Sequence, residues 1–254
     1  SHPVQKEDSH RTDIKEIWAM LEKSHLDLLP PSLPKWKPFH IGLAQSNKGS
    51  SLHSFYDFIS FPNQSYLILN GEYEYNQVEA LAYTGLLKGM IQTLAAEYKN
   101  KKLNPIHFMT TLNELLSTHR GNPKFYFHLL ALFPTDDRLS FISCGYPPLV
   151  HLPQDPASPR LLNNENPLLG LDSQHQFSET TENWAEGSTL ILHSFNPTSE
   201  KETNKAFQED LFKKISSTHL APQAQAKALF EGLSRELFSL KEGSFKSVFT
   251  IHRI

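Results

Sequence analysis

The chain has a single cysteine, Cys144, in 254 residues. An internal disulfide is therefore excluded, and one thiol fits a reducing compartment. Its apolar setting, Phe141-Ile-Ser-Cys-Gly145, reads as a buried small side chain, and no base stands nearby in sequence to make it a nucleophile. No apolar run approaches the roughly 20 residues that span a bilayer, and no secretory signal opens the chain. No basic block is present either. The 24 Lys+Arg and 27 Asp+Glu are mixed along the chain for a net charge of −3, which gives no nucleic-acid footprint. The 13 histidines are scattered without HxxxH or HExxH spacing, so each reads as a surface or packing residue. Internal repeats and low-complexity tracts are absent. These absences point to a cytoplasmic protein, free or as the cytoplasmic part of a longer, membrane-attached chain. Ser1-His2-Pro3 leaves room for a natural protein that extends further back.

What remains is 39% hydrophobic, enough to bury the core of one domain of upper-middle size with an appendage. In the appendage, Asp13 to Leu26 places Ile14, Ile17, Trp18, Leu21 and His25/Leu26 at helical spacing, with Thr12 as a candidate cap. Leu28-Leu-Pro-Pro31 stops this helix, because proline cannot continue it and restrains the residue before it. It reads either as a packing element or as the end of a signalling linker. Pro34 to Leu43 alternates like a first strand. Phe55 to Phe61, a turn at Pro62-Asn63, and Ser65 to Leu69 form a hairpin.

Gln77 to Tyr98 is the best helix. Val78, Leu81, Ala82, Gly85, Leu86, Gly89, Met90, Thr93 and Leu94 recur at three and four as its inner face. The two glycines there each cost about 1 kcal/mol in propensity, a cost that close approach to a sheet would offset. Asn104-Pro105 opens a second helix with Phe108, Leu112, Leu115 and Leu116 facing inward. Lys124–Phe133 and Arg138–Ser143 form a second hairpin around Pro134-Thr-Asp-Asp137. Leu149–Leu152, Thr189–His193 and Ser247–His252 read as later strands, Pro153 to Asn166 as loop, and Asn204–Ile215 and Pro222–Phe238 as helices. Strands, two helices, then strands with a helical insertion indicate an α+β or layered sandwich fold. The domain boundaries expected are a linker helix over 1–30 and one domain over 31–254.

Several local words, in order, resemble the RsbU/SpoIIE branch of the PPM (protein phosphatase 2C-like) serine/threonine phosphatases. Leu28-Leu-Pro-Pro31 resembles the branch's "LLP", Phe55-Tyr-Asp-Phe58 its "GGDxYDF", and Asn70-Gly-Glu72 its "GD". Val78-Glu-Ala80 resembles the opening of its following helix, Leu112-Asn-Glu-Leu-Leu116 its "LNxLL", and Gly145-Tyr-Pro-Pro148 its "GHPP". Pro167-Leu-Leu-Gly-Leu171 resembles "PLG(L)", and Gly187-Ser-Thr-Leu-Ile-Leu192 resembles "GDxLLL". The resemblance covers about residues 20 to 254. It implies a four-layer α-β-β-α sandwich with two Mn²⁺ or Mg²⁺ ions at one edge, held by carboxylates and waters. Such a metal pair generates hydroxide and braces the phosphoryl group for in-line displacement.

The departures fall on the carboxylates. The metal aspartate before Tyr-Asp-Phe falls on Ser54, with Leu52-His53 in place of two glycines. In Gly71-Glu72 the aspartate has become glutamate, which keeps charge and adds a methylene. The "TDG" aspartate falls on Phe195, and the "DD" pair falls in Gly243-Ser-Phe-Lys246, on Ser244. Four acidic positions reduce to Glu72, too little anionic charge for two divalent cations. Other carboxylates have plain readings: Asp57 as structural, Asp136-Asp137 as a turn, Glu200 as surface. Glu72 and Glu74 alternate, so they could share a strand face and hold one weak cation, or simply end a solvated strand.

The resemblance therefore implies a catalytically degenerate domain, a pseudophosphatase without cofactor, acting as a regulatory protein-binding module. Its pathway would be a partner-switching one, and its partner a small anti-sigma factor antagonist or its kinase. The alternative is an active metal-dependent serine phosphatase with weakly bound Mn or Mg at an atypical site. A third reading is a purely structural domain serving an attached sensor. A homodimer through the N-terminal helix is also expected.

Overall fold

A computed structural model describes residues 4–46, 52–75, 78–154, 159–195, 210–214, 220–236 and 246–254. Helix α1 (Val4–Leu28) leads into strand β1 (Phe39–Gln45), the hairpin β2 (Ser54–Ser60) and β3 (Tyr66–Tyr73), and helices α2 (Glu79–Glu97) and α3 (Pro105–Thr118). Strands β4 (Phe125–Phe133), β5 (Arg138–Cys144), β6 (Leu149–Leu152), β7 (Arg160–Leu162), β8 (Thr180–Asn183) and β9 (Thr189–His193) follow. Helix α4 (Pro222–Glu236) and strand β10 (Ser247–Arg253) close the chain.

The strands form two five-stranded antiparallel sheets, ordered β1-β10-β9-β6-β7 and β2-β3-β4-β5-β8. Side chains alternate across each strand, so each sheet presents one face to its partner sheet and one to helices. Between the sheets lie Phe39, Tyr56, Ile68, Leu130, Phe141, Leu190, Phe249 and Ile251. The other face of the second sheet, with Phe55, Leu67, Leu69, Phe127 and Leu129, packs under α2 and α3. Val150, Ile191 and Val248 pack under Leu229 and Leu233 of α4. The result is the expected α-β-β-α sandwich. β4 reads as a continuous apolar run because both of its faces are covered.

Several expectations are corrected. α1 begins at Val4, so Thr12 lies inside the helix and not at its start. Of the expected inner stripe of α2 only Leu94 is buried; the other buried residues are Ala80, Thr84, Leu87 and Ile91. The sequence holds two overlapping apolar stripes there, and the sheet takes the one without Gly85 and Gly89. A Cβ built on Gly89 meets nothing within 4 Å, so the expected approach to a sheet is absent. Leu115 of α3 is 40% exposed, while Met109 and Asn113 are buried in its stead. β7 and β8 are edge strands too short and too polar to signal themselves. Residues 210–214 are helical; the rest of the expected 204–215 helix lies outside the described residues.

Words far apart in sequence meet in this fold. Asn113 of α3 accepts a hydrogen bond from Gly170 N (2.8 Å) and donates to Asp172 O (2.7 Å). Gly170 has φ +88°, and a Cβ there would lie 2.4 Å from Pro123 O, so glycine is required on both counts.

Candidate functional site

The hairpin pairs Ser54 with Glu72 and Tyr56 with Asn70. On β3, Ile68, Asn70 and Glu72 face the space between the sheets, whereas Leu67, Leu69 and Gly71 face the helices. Glu72 therefore stands at the rim where the two sheets open. Both of its oxygens are engaged: Oε1 lies 2.7 Å from His53 Nε2, and Oε2 accepts from the Tyr146 hydroxyl at 3.1 Å. Tyr146 stacks on Tyr126 at 5.7 Å and lies against His128 at 4.7 Å. Burial, then the adjacent Glu72 charge, raise the Tyr146 pKa well above its ordinary value, so the hydroxyl keeps its proton and stays a donor.

The facing rim comes from β9 and β10. Lys246 Nζ donates to Ser194 O (3.1 Å), Ser247 N donates to Ser194 Oγ (2.9 Å), and Ser247 Oγ reaches Asn70 Oδ1 across the sheets (3.5 Å). Behind them sit two buried imidazoles. Burial lowers the His128 pKa to about 3, and burial, with Lys246 beside it, lowers that of His193 to about 4. Both rings are neutral at physiological pH. Asn70 Nδ2 and His128 Nδ1 are buried without a hydrogen-bond partner among the described residues.

Helix α1 reaches the same rim. His25, 1% exposed, places Nε2 at 2.7 Å from Ser54 O and 3.4 Å from Ser54 Oγ. Burial lowers its pKa, so the ring is a neutral donor to the Ser54 carbonyl. By contrast, Ile14, Ile17, Trp18 and Met20 of the same helix are exposed.

Of the positions singled out in the sequence, the fold brings Ser54 and Glu72 together as register partners. Gly71 faces the helix layer, where a Cβ would lie 2.7 Å from Phe127 Cδ2. Phe195 is fully buried with Phe212 and Leu229, its ring 5.5 Å from Phe230. Ser244 and Glu200 lie outside the described residues. Asp57 faces α2, where Lys88 Nζ lies 3.4 Å from it, Asp136 pairs with Lys102 and Asp137 with Arg253.

A hard divalent cation takes six or more oxygen ligands, several of them anionic. Among the described residues the four motif positions offer one carboxylate, already hydrogen-bonded through both oxygens, with a hydroxyl at Ser54 and a phenyl ring at Phe195. Among the described residues, no group of three or more His, Cys, Asp or Glu side chains could hold a metal ion. The described donor set does not fit a two-metal centre.

Sequence reasoning missed most of the rim. His53, Tyr146 and Lys246 each lie in a quoted word, at the places of a glycine, a histidine and the residue after the "DD" pair. That a histidine and a tyrosine replace small or ring donors beside the surviving carboxylate was the available signal. Asn70 lies in a quoted word without standing out there, and Ser194, Ser247 and His25 had no signal, because only the facing of two sheets and a docked helix brings them together.

Comparison with known proteins agrees with the fold. Among solved structures, the SiaA-PP2C domain of Pseudomonas aeruginosa aligns over 96% of this chain and 98% of its own, with TM-score 0.74 and 13% identity. The PP2C phosphatase domain of SpoIIE with a fragment of its regulatory domain, from Bacillus subtilis, aligns over 85% of this chain with TM-score 0.66 and 17% identity. The RsbU and RsbW domains of a Mycobacterium tuberculosis protein align equally well, at TM-score 0.66 and 15% identity over 85% of this chain. This chain covers 61% and 60% of those last two chains. At such identities the likeness is one of fold. No helix among the described residues is long and apolar enough to cross a membrane. Among curated proteins no sequence match is found. The family profile of stage II sporulation protein E (SpoIIE) matches residues 63–244, more than half of the chain, and the chain therefore belongs to the SpoIIE family.

Proposed function

We propose that this SpoIIE-family domain is a catalytically degenerate phosphatase that works as a regulatory protein-binding module in a partner-switching pathway. Its partner is a small anti-sigma factor antagonist or the kinase that acts on one, and it carries no metal cofactor. The observation that carries this reading is Glu72. The only carboxylate left at the four motif positions spends both oxygens on His53 and Tyr146. Freeing Oε2 for a cation would leave the buried Tyr146 hydroxyl unmet.

Residues 1–30 serve in this reading as a linker helix and 31–254 as the binding domain. His25 ties the linker to Ser54, and the exposed Ile14, Ile17 and Trp18 are the surface through which two copies would pair. The domain works in the cytoplasm.

Calorimetric titration with Mn²⁺ and Mg²⁺, beside a phosphoserine-peptide release assay, tests the proposal. No saturable metal binding and no metal-dependent release are expected. Micromolar binding with metal-dependent turnover would establish the active, atypical-site phosphatase instead. Binding of purified antagonists and kinases, phosphorylated and not, then separates a recognition module from a purely structural domain.

A further inference from the structure

The outer face of the first sheet ends, away from the Glu72 rim, in a polar row. His40, His252 and Thr189 are register partners on β1, β10 and β9. Thr189 Oγ1 lies 3.0 Å from His252 Nδ1. The next outward pair along the same strands, Gly42 and Thr250, seats the amino end of α4. A Cβ at Gly42 would lie 2.2 Å from Pro222 O, and Thr250 Oγ1 donates to that same oxygen at 2.6 Å. The Gln223 side chain pairs with both backbone groups of Leu43, at 3.0 and 2.8 Å. From this seat α4 runs back toward Val248, over which Leu229 and Leu233 pack. Its amino end consequently points at the two imidazoles.

Among the described residues no side chain caps that amino end. Gln225 N donates to Ala221 O, the first intrahelical bond, at 2.9 Å. The N–H groups of Gln223 and Ala224 precede it and have no acceptor within the helix. Ala221 has no side-chain oxygen to offer them, where Ser, Thr, Asp or Asn would. One turn in, Gln225 is 7% exposed, and its side-chain amide has no hydrogen-bond partner among the described residues. It lines, with His40, His252, Thr189 and Gln154, an open hollow of about 790 Å³ in front of the helix. The hollow thus gathers two helix N–H groups, the Gln225 side-chain amide and two imidazoles, each able to donate, at the positive end of a helix. Burial, then the neighbouring His40, push the His252 pKa down, and an anion between the rings opposes the second effect.

We propose that this hollow binds a phosphate-type oxyanion, held between the amino end of α4, the Gln225 amide and the His40–His252 pair. Ser247 and His252 are five residues apart on β10, about 17 Å at strand spacing, so the site is separate from the Glu72 rim. The inference stands independently of how that rim is read.

The test is an NMR titration of the full chain with inorganic phosphate, with glycerol phosphate in a second arm and chloride as the ionic-strength control. Expected are saturable shifts of the His40 and His252 ring signals and of the Gln223 and Ala224 amides, absent with chloride. Tighter binding of the ester identifies a phosphate ester as the ligand class; equal binding identifies the free ion. Gln225→Glu, which sets a carboxylate against the anion, should weaken binding by about tenfold or more, while Ser54→Ala leaves it unchanged. Should the glutamate variant misfold, His252→Gln replaces it. Shifts that do not saturate, that chloride reproduces, or that survive both variants would overturn the proposal.

Discussion

Replacing Glu72 by alanine separates a carboxylate that holds protein from one that holds metal. The wild-type side chain accepts from His53 at 2.7 Å and from Tyr146 at 3.1 Å, in a position 14% exposed. Alanine removes a bond from His53 to a charged acceptor, worth roughly 1.5–3 kcal/mol, and leaves the buried Tyr146 hydroxyl unpaired at about 1–3 kcal/mol. The two effects share one carboxylate and do not add fully, so about 2–5 kcal/mol is expected. For a domain of this size, a central loss of about 3 kcal/mol lowers Tm by roughly 6–12 °C. Glu72→Gln, which keeps a carbonyl oxygen for Tyr146, should lose about half as much. The assay is thermal or urea unfolding of wild type and both variants, each with EDTA and with added Mn²⁺. If the carboxylate serves the protein, metal and chelator leave all three curves in place. A wild type that EDTA destabilises to the level of Glu72→Ala, and that Mn²⁺ restores, would refute the reasoning.

The buried imidazoles give a pH signature. His128 and His193 are held neutral in the fold with pKa values of about 3 and about 4, against 6.5 unfolded. Folded pKa values below the unfolded one mean that stability is full above pH 6.5 and falls as pH drops toward 4. The slope is about 1.4 kcal/mol per pH unit for each ring, and His193→Phe should remove about half of it in urea titrations across that range. Asn113→Ala strips the acceptor of Gly170 N–H and the donor to Asp172 O, and should cost about 2–4 kcal/mol in urea unfolding. His25→Ala should cost about 1–2 kcal/mol and raise hydrogen exchange over residues 20–28, leaving exchange in β3 and β4 unchanged. Unchanged exchange in α1 would show that His25 does not anchor it.

The architecture was legible where burial is one-sided or complete. β4 carries nine consecutive strand residues with both faces covered, and its sequence could be little else. The hairpin of β2 and β3 announced itself through aromatic residues around Pro62-Asn63. α2 was legible as a helix but not in its rotation, because Leu86 and Met90 compete with Leu87 and Ile91 for the inner stripe. Which stripe wins is decided by the sheet beneath. At the rim the side chains at Ser54 and Phe195, where the resemblance expects carboxylates, could be read directly. The replacements could not: His25 approaches from 29 residues away and Asn70 meets Ser247 across 177, distances that no local pattern encodes.

The first sheet pairs β1 with β10 over seven residues, from Phe39 opposite Arg253 to Gln45 opposite Ser247. Among the described strands, the earliest thus waits for the latest. During synthesis, the second sheet has β2 to β5 within a continuous stretch and can assemble with α2 and α3 while the ribosome is still adding residues. The first sheet cannot, because β10 is its second strand and the bridge between β1 and β9. β1 must therefore remain unpaired, with its apolar Phe39, Ile41 and Leu43, until β10 has been made. A chain shortened by its final seven residues would lose the central connection of one sheet rather than a dispensable tail. Conversely, joining the ends through a linker and opening the chain at the turn after β5 would bring β10 and β1 out as neighbours, and such a permuted chain should close this sheet first.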